Sequence, residues 1–181
     1  VTASVRANFF PAVLKHITST NEEVSEHAVG VISAALHVKS ARQAFFELKG
    51  EESLKLLIEK HPTGVQINAL KALKELGEEE QGKKFLASSC VHILVPKVAT
   101  LTRDTEHLNS QSSVQLLTET LGCLQHGLTV SVGVDVAIGH NVVPILTRLL
   151  KHCAKELCKL PFDDLSRLAA LCLSYSLYVA A

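Results

Sequence analysis

The feature that most constrains this chain is an apolar pattern that returns at intervals of 41 and then 48 residues. In segment 21–36, apolar or small residues stand at i, i+3, i+4, i+7 and i+8, counted from Ala28. Segment 65–77 repeats the pattern from Ala69, and segment 113–124 repeats it from Leu117. This spacing predicts long helices with one buried face. A helical pattern that returns about every 40 residues predicts stacked helical units.

The segments between the long helices also keep a constant order. Each contains a short amphipathic helix, a small residue and then a second apolar helix of about two to three turns. The small residue lies 21 or 22 residues after the reference position of each long helix. Glycine at two of the three joints predicts a helix end that adopts a left-handed conformation. The joint residues are Gly50, Cys90 and Gly139.

Sequence signals for a helix start mark where each long helix begins. A capping-box spacing precedes each long helix and predicts its first turn. The pairs are Thr20 with Glu23, Thr63 with Gln66, and Ser112 with Gln115.

The chain divides into units of roughly 1–38, 39–77, 78–127 and 128–181. Segment 9–14 matches the proline-led segment 142–146, so we expect the chain to begin inside a unit with a second helix. Segment 164–179 predicts a fourth long helix. The alternating stretch 128–137 is interpreted as a loop that leads into a short helix. The extra length in the second interval falls on TLTRDTEHLNSQ, which we expect to form a loop on one rim.

The order of helices resembles the armadillo repeat, most clearly in SARQAFFELKGEESLKLLIEKHPTGVQINALKALKELG. The resemblance covers nearly the whole chain as an architecture, and HEAT repeats share much of the pattern. It implies an all-α fold, a right-handed α-solenoid of about four repeats with the first repeat truncated. Residues 1–181 would then form one armadillo-like domain, which could be a fragment of a longer protein.

In the armadillo family the third helices line a concave groove that binds extended peptides. Importin-alpha and beta-catenin carry a ladder of asparagines in that groove, whose positions here hold Ala34, Glu75 and Cys123. The resemblance therefore implies a groove without the asparagine ladder. Stepping back along each long helix by three or four residues gives a candidate partner-binding groove. Its residues are His27, Gly30, Ala34, Asn68, Lys71, Glu75, Leu116, Glu119 and Cys123.

Charge and composition narrow the classes of partner. The chain has 18 basic and 18 acidic residues, so no sequence-wide field attracts phosphate backbones, and nucleic acid is not expected as a partner. Charged residues or histidines interrupt the longest apolar stretches, so membrane insertion is not expected. An odd number of cysteines, five, suits buried thiols in a reducing compartment. We expect an intracellular protein, in the cytoplasm first, with the nucleus or cytoskeleton as alternatives.

Nine histidines and five cysteines invite a metal or catalytic hypothesis. Cys123 and His126 share one helical face, and Cys90 lies close to His92, yet a structural zinc site needs four ligands. Cys153 and Cys158 lie on separate faces of a helix and are expected to be independent thiols. No motif of a nucleophile elbow, phosphate loop or zinc protease is present. We therefore predict no catalytic residue, no metal and no cofactor.

Two functional classes remain open, with a third kept as an alternative. The first is a non-catalytic scaffold or adaptor that binds other proteins or extended peptides along the solenoid. The second is a structural segment of a large assembly, such as a ciliary, transport or chaperone-linked complex, with contacts through the convex face and the ends. The third is an enzyme or metal-binding protein that depends on Cys and His.

Overall fold

The computed structural model describes residues 3–103, 110–155 and 162–179. Within those ranges the ordered elements are helices, and none is a strand. The predicted all-α class is therefore confirmed. The chain forms two compact units, Val1–Leu76 and Gly77–Ala181.

The first unit contains five helices. The long helix α2 packs against α5, α4 also packs against α5, and α1 contacts α2 and α3. The ring of Phe45 meets that of Phe10 edge to face, with 5.0 Å between the ring centroids. The helices are α1 Ala3–Leu14, α2 Glu22–Leu36, α3 Lys39–Glu47, α4 Gly50–Lys60 and α5 Thr63–Leu76. Their shared core includes Ile32, Leu36, Phe45, Leu54, Leu57, Ile58, Leu70 and Leu73.

In the second unit the described residues form six helices, including the long helix α8. Helix α8 packs against α7 and α11, and the thiol of Cys172 in α11 approaches the carbonyl oxygen of Leu121 in α8 at 3.7 Å. The helices are α6 Glu80–Phe85, α7 Val91–Leu101, α8 Gln111–Gly127, α9 Ser131–Gly139, α10 Val142–Lys155 and α11 Phe162–Val179. The core includes Leu86, Leu94, Val95, Leu117, Leu121, Leu124, Leu146 and Leu149.

Helices α6 and α7 form one continuous helix from Glu80 to Leu101, joined by a π-helical turn at Leu86–Cys90. Here the expected joint at Cys90 is absent, and Cys90 is buried inside the helix. By contrast, the chain bends by 81° between α9 and α10.

The residues predicted to adopt a left-handed conformation before α4 and α10 were Gly50 and Gly139, and other residues adopt it instead. Among the described residues no glycine has a positive φ, and the left-handed positions are Lys49 (φ 53°) and Asn141 (φ 57°). Gly50 instead begins α4, where an added Cβ would clash with the ring of Phe45. The glycine is therefore explained by the packing of an aromatic ring. Gly139 has open space around it, and nothing in the structure explains it.

The predicted start signals of the long helices are shifted. Asn21, not Thr20, caps α2, because its side-chain oxygen accepts hydrogen bonds from the amides of Glu23 and Val24. Ser110, not Ser112, caps α8 and accepts from the amide of Ser113 at 3.1 Å.

In α5 the expected cap Thr63 is already the first helical residue. The side chain of Gln66 reaches back to the carbonyl oxygen of His61 at 2.5 Å, where it ties down the preceding turn. The existence of each helix was therefore predicted correctly, while its cap was not.

The prolines also sit differently from the prediction at the start of the chain. Pro11 lies deep inside α1, so it does not lead that helix, whereas Pro144 lies in the first turn of α10 as expected. The interpretation of segment 128–137 as a loop into a short helix is confirmed by α9.

The continuous helix from Glu80 to Leu101 is long and apolar enough, by length and composition, to cross a membrane. Lys84, His92 and Lys97 lie within this helix, and the expectation of no membrane insertion stays a prediction. Taken as one bent span, α9 and α10 pass the same test. Core helices of soluble proteins pass it as well, and Leu86, Val91, Leu94 and Val98 are buried inside this unit.

Glu51 is a polar group buried at the start of α4, and its Oε2 atom has no hydrogen-bond partner among the described residues. Removal from water raises the pKa of this carboxyl, and the neighbouring carboxylate of Glu52 adds to the rise. A hydrogen bond from the backbone and the charge of Lys49 act in the opposite direction and are outweighed. The folded state therefore binds the proton of Glu51 more tightly than the unfolded chain does.

We expect Leu73→Ala to lower the free energy of unfolding by about 2–5 kcal/mol, since this side chain is fully buried in the first unit. Lys74→Ala, at a half-buried neighbouring position, should cost much less. Urea unfolding of both variants measures the difference. Equal, small losses would show that the register of α5 is wrong.

Glu51→Gln should change how stability depends on pH. Because the folded carboxyl binds its proton more tightly than the unfolded one, stability falls as pH rises from the ordinary carboxyl pKa through the raised pKa. Glutamine removes this loss, so the variant should gain stability relative to the parent chain above that window and lose the gain in acid. Thermal unfolding across pH 3–8 tests this, with Glu59→Gln, at an exposed carboxylate later in α4, as the matched control. A parallel pair of pH profiles would contradict it.

Candidate functional site

The candidate groove residues of the first unit lie at its surface or partly buried. In α2, His27 and Ala34 are exposed and Gly30 is half-buried. In α5, the three residues Asn68, Lys71 and Glu75 are all half-buried. Solvent therefore reaches all six positions, which a surface for a partner requires.

Asn68 joins the two helices. Its side-chain amide donates a hydrogen bond to the carbonyl oxygen of Glu26 in α2 at 3.2 Å. The same amide nitrogen would lie 3.4 Å from a Cβ added at Gly30. A Cβ at that distance would be in van der Waals contact with the amide, so Asn68 packs directly over Gly30. Two predicted groove residues from different helices are thus brought together.

A second contact joins the same helices near their C-terminal ends. The Nδ1 atom of His37 lies 3.0 Å from a carboxylate oxygen of Glu75. The side chain of Glu75 is 21% exposed and that of His37 is 66% exposed, so the pair sits at the edge of solvent. Such a contact is worth at most about 1 kcal/mol to folding. Its larger effect is to fix the position of the carboxylate beside α2.

Glu26 and His37 were not among the predicted groove residues. Both lie on the face of α2 that meets α5, one turn or two turns from Gly30. Helical spacing could have indicated them, because positions 26, 30, 33 and 37 share one face. Gly64 adds a further contact, since a Cβ there would clash with the carboxylate of Glu26.

The third predicted set is buried in the second unit. Leu116 is 6% exposed, Glu119 is 8% exposed and Cys123 is 0% exposed. Helix α8 is covered from several sides, since α6, α7, α11 and the π-helical turn all pack against it. As the structure stands, a partner could not reach these residues without displacing a helix. The candidate groove is therefore reduced to the residues of α2 and α5.

In each cysteine–histidine pair considered for metal binding or catalysis, the cysteine is buried and the histidine is in contact with solvent. Cys90 is buried while His92 is exposed, and Cys123 is buried while the half-buried His126 has its Nε2 atom 3.7 Å from Glu78. Within residues 3–103, 110–155 and 162–179, no three His, Cys, Asp or Glu side chains cluster closely enough to hold a metal ion.

Two of the buried thiols also have a raised pKa, which lowers their reactivity. Burial raises the pKa of Cys172 to about 12, and burial raises the pKa of Cys153 against a weaker opposing hydrogen bond from Ser166. Both thiols are therefore protonated at neutral pH, and a protonated thiol is a poor nucleophile and a poor metal ligand. Cys158, which was considered together with Cys153, lies outside the described residues.

Comparisons with known proteins give a fold and no function. No protein-family model matches the chain, and no curated protein matches it significantly. The crystal structure of an engineered protein from the Northeast Structural Genomics Consortium is similar, with a TM-score of 0.70 and 20% sequence identity. The likeness covers 93% of this chain and 38% of that chain. A second engineered protein from that consortium covers 94% of this chain and 97% of its own, with a TM-score of 0.39 and 13% identity. At this level of identity the first likeness supports the all-helical fold alone.

Proposed function

We propose that this chain is a right-handed armadillo-type solenoid that binds other proteins non-catalytically, as a scaffold or adaptor. The order of helix lengths supports the repeat. Helices α3, α4 and α5 have 9, 11 and 14 residues. Helices α9, α10 and α11 have 9, 14 and 18 residues. Between them, α6 (6 residues) with its π-helical turn (5 residues) runs without a joint into α7 (11 residues), so this interval keeps only the long last helix of the order, the 17-residue α8.

The observation that carries the proposal is the pairing of α2 with α5. Two long helices from successive predicted repeats lie side by side, joined by Asn68 near one end and by the contact of His37 with Glu75 near the other. In a solenoid the long helices of neighbouring repeats stack in this way, and their solvent-facing sides form a continuous surface. The proposed groove consists of His27, Gly30, Ala34, Asn68, Lys71 and Glu75.

The chemistry of these six residues suggests the class of ligand. One cation and one carboxylate stand four residues apart on α5, Asn68 offers an amide, and Ala34 offers a small apolar contact. No single charge dominates, so the surface is suited to an extended peptide of mixed polarity. Polar side chains set register on such a ligand, while apolar contacts supply affinity.

A binding role is favoured over chemistry by the state of the thiols. Cys153 and Cys172 are held protonated by burial, which removes the reactivity that a thiol-dependent enzyme would need. With these two thiols protonated, the described residues favour a protein that holds others over a thiol-dependent enzyme. The four described cysteines, of five in the chain, are buried and outside disulfides, which is consistent with an intracellular location.

We expect the double variant Lys71→Ala/Glu75→Ala to weaken partner binding while the chain stays folded. Both side chains are partly exposed, and loss of the contact with His37 should cost at most about 1 kcal/mol of stability. Truncating central contact residues can cost about 1–2 kcal/mol of binding, roughly a 5- to 30-fold loss of affinity. Affinity capture with crosslinking mass spectrometry identifies the partner, and calorimetry with that partner measures the loss.

Lys55→Ala is the matched control for this experiment. Lys55 lies on α4, partly buried, where it makes an i, i+3 ion pair with Glu52 at 4.0 Å. The control should keep full affinity. If Lys55→Ala abolishes binding and the double variant retains it, the groove is not the binding surface. The alternative of a structural segment that binds through its convex face would then replace the proposal.

A further inference from the structure

Helix α2 carries an exposed stripe that its own unit does not cover. The stripe consists of Val24, His27, Val31 and Ala34, at spacings of three, four and three residues. Val24 is 40% exposed and Val31 is 46% exposed. The face that meets the core is different, since it carries Ala28, Val29, Ile32 and Leu36. The stripe is therefore a second, largely apolar face of the same helix.

The repeat shows what this face does elsewhere in the chain. With Ala28 equivalent to Ala69, the positions of Val24 and Val31 correspond to Val65 and Ala72 in α5. Both of those residues are 0% exposed, in a helix that packs against α2 and α4. At these two positions the face is thus buried in α5 and exposed in α2, while the equivalents of His27 and Ala34 in α5, Asn68 and Glu75, are half-buried. This favours a helix as the group that covers the stripe on α2.

The charges around the stripe point to a second copy of α2 as that helix. Glu23 flanks the stripe at its N-terminal end and is exposed, and Lys39 is exposed just after the C-terminal end of α2. In an antiparallel pair the acidic end of one copy meets the basic end of the other, and the two helix dipoles are also opposed favourably. A parallel pair would place like charges together at both ends.

The spacing of the stripe is also self-complementary. Because spacings of three, four and three read the same in both directions, a two-fold axis beside the middle of the stripe pairs every member. Val24 of one copy then meets Ala34 of the second copy, and His27 meets Val31 of the second copy. This is the a/d spacing by which helices pack in antiparallel pairs.

We infer that this face is a homodimer interface in which α2 packs antiparallel against α2 of a second copy about a two-fold axis. A two-fold dimer is the commonest closed assembly of identical chains. One helix pair is a small interface, so the dimer is weak and forms in a concentration-dependent way. His27 and Ala34 also belong to the proposed groove, so the dimer competes there with a peptide.

Sedimentation velocity over a range of protein concentrations tests the dimer in the full chain. The parent chain should show a reversible monomer–dimer equilibrium. Val31→Glu should weaken the dimer by about tenfold or more, because it buries a charge at the centre of the interface. Leu56→Glu is the matched control, at an apolar residue of α4 that is 67% exposed, and it should leave the equilibrium unchanged. A chain that stays monomeric, or a dimer that only Leu56→Glu disrupts, would overturn the inference.

A crosslink tests the orientation of the helices. Val24→Cys and Ala34→Cys are prepared separately, both with Cys158→Ser, because the other cysteines are buried. Under mild oxidation the mixture should give a disulfide-linked dimer that neither protein gives alone. Dimers from either protein alone, or none from the mixture, would exclude the antiparallel arrangement.

Lys39→Glu is a second variant, at an exposed position outside the packed faces of α2. It should weaken self-association, and mixing it with Glu23→Lys should restore a dimer between the two proteins. Absence of both effects would count against the pairing. Lys71→Ala/Glu75→Ala should leave the dimer intact, so failure of the dimer and failure of the groove can be told apart.

Discussion

The rest of this structure depends on how much of each long helix has to be kept from water. A helix with one apolar stripe needs one neighbour, but a helix that is apolar around most of its circumference needs several. Helix α2 buries one face, α5 buries a wider arc, and α8 is buried at every position from Leu116 to Leu124 except Thr118. The shorter helices are arranged to supply those neighbours, and so the units are built around their long helices.

This graded burial explains which predictions succeeded. The existence of the long helices followed from a period near 3.6 residues, because that period reports only that one side is apolar. The period does not report how much of the helix circumference is buried, and the prediction did not use the other residues of each helix to judge it. In segment 113–124, Leu116 and Cys123 are themselves apolar and already indicated that α8 would be surrounded. Placing them with Glu119 in an accessible groove was the resulting error.

The local details failed for a different reason. A cap is decided by which of several adjacent polar side chains reaches the first free amides, and Thr20 with Asn21, or Ser110 with Ser112, offer nearly equal choices in sequence. Gly50 was assigned to a left-handed turn, yet Lys49 adopts that conformation and the glycine accommodates the ring of Phe45. Sequence indicates that a residue is unusual, whereas tertiary packing decides the reason. The contact of His37 with Glu75, 38 positions apart, depends on that packing as well.

The π-helical turn at Leu86–Cys90 affects where the helices of its unit can reorient. Where a left-handed residue separates two helices, as Lys49 and Asn141 do, the backbone contains a joint about which the flanking segments can reorient. In the helix from Glu80 to Leu101 the helical backbone continues through the turn, so no such joint separates its two halves. Within this unit, reorientation of the helices is therefore expected at the connections that flank this helix and not at Cys90.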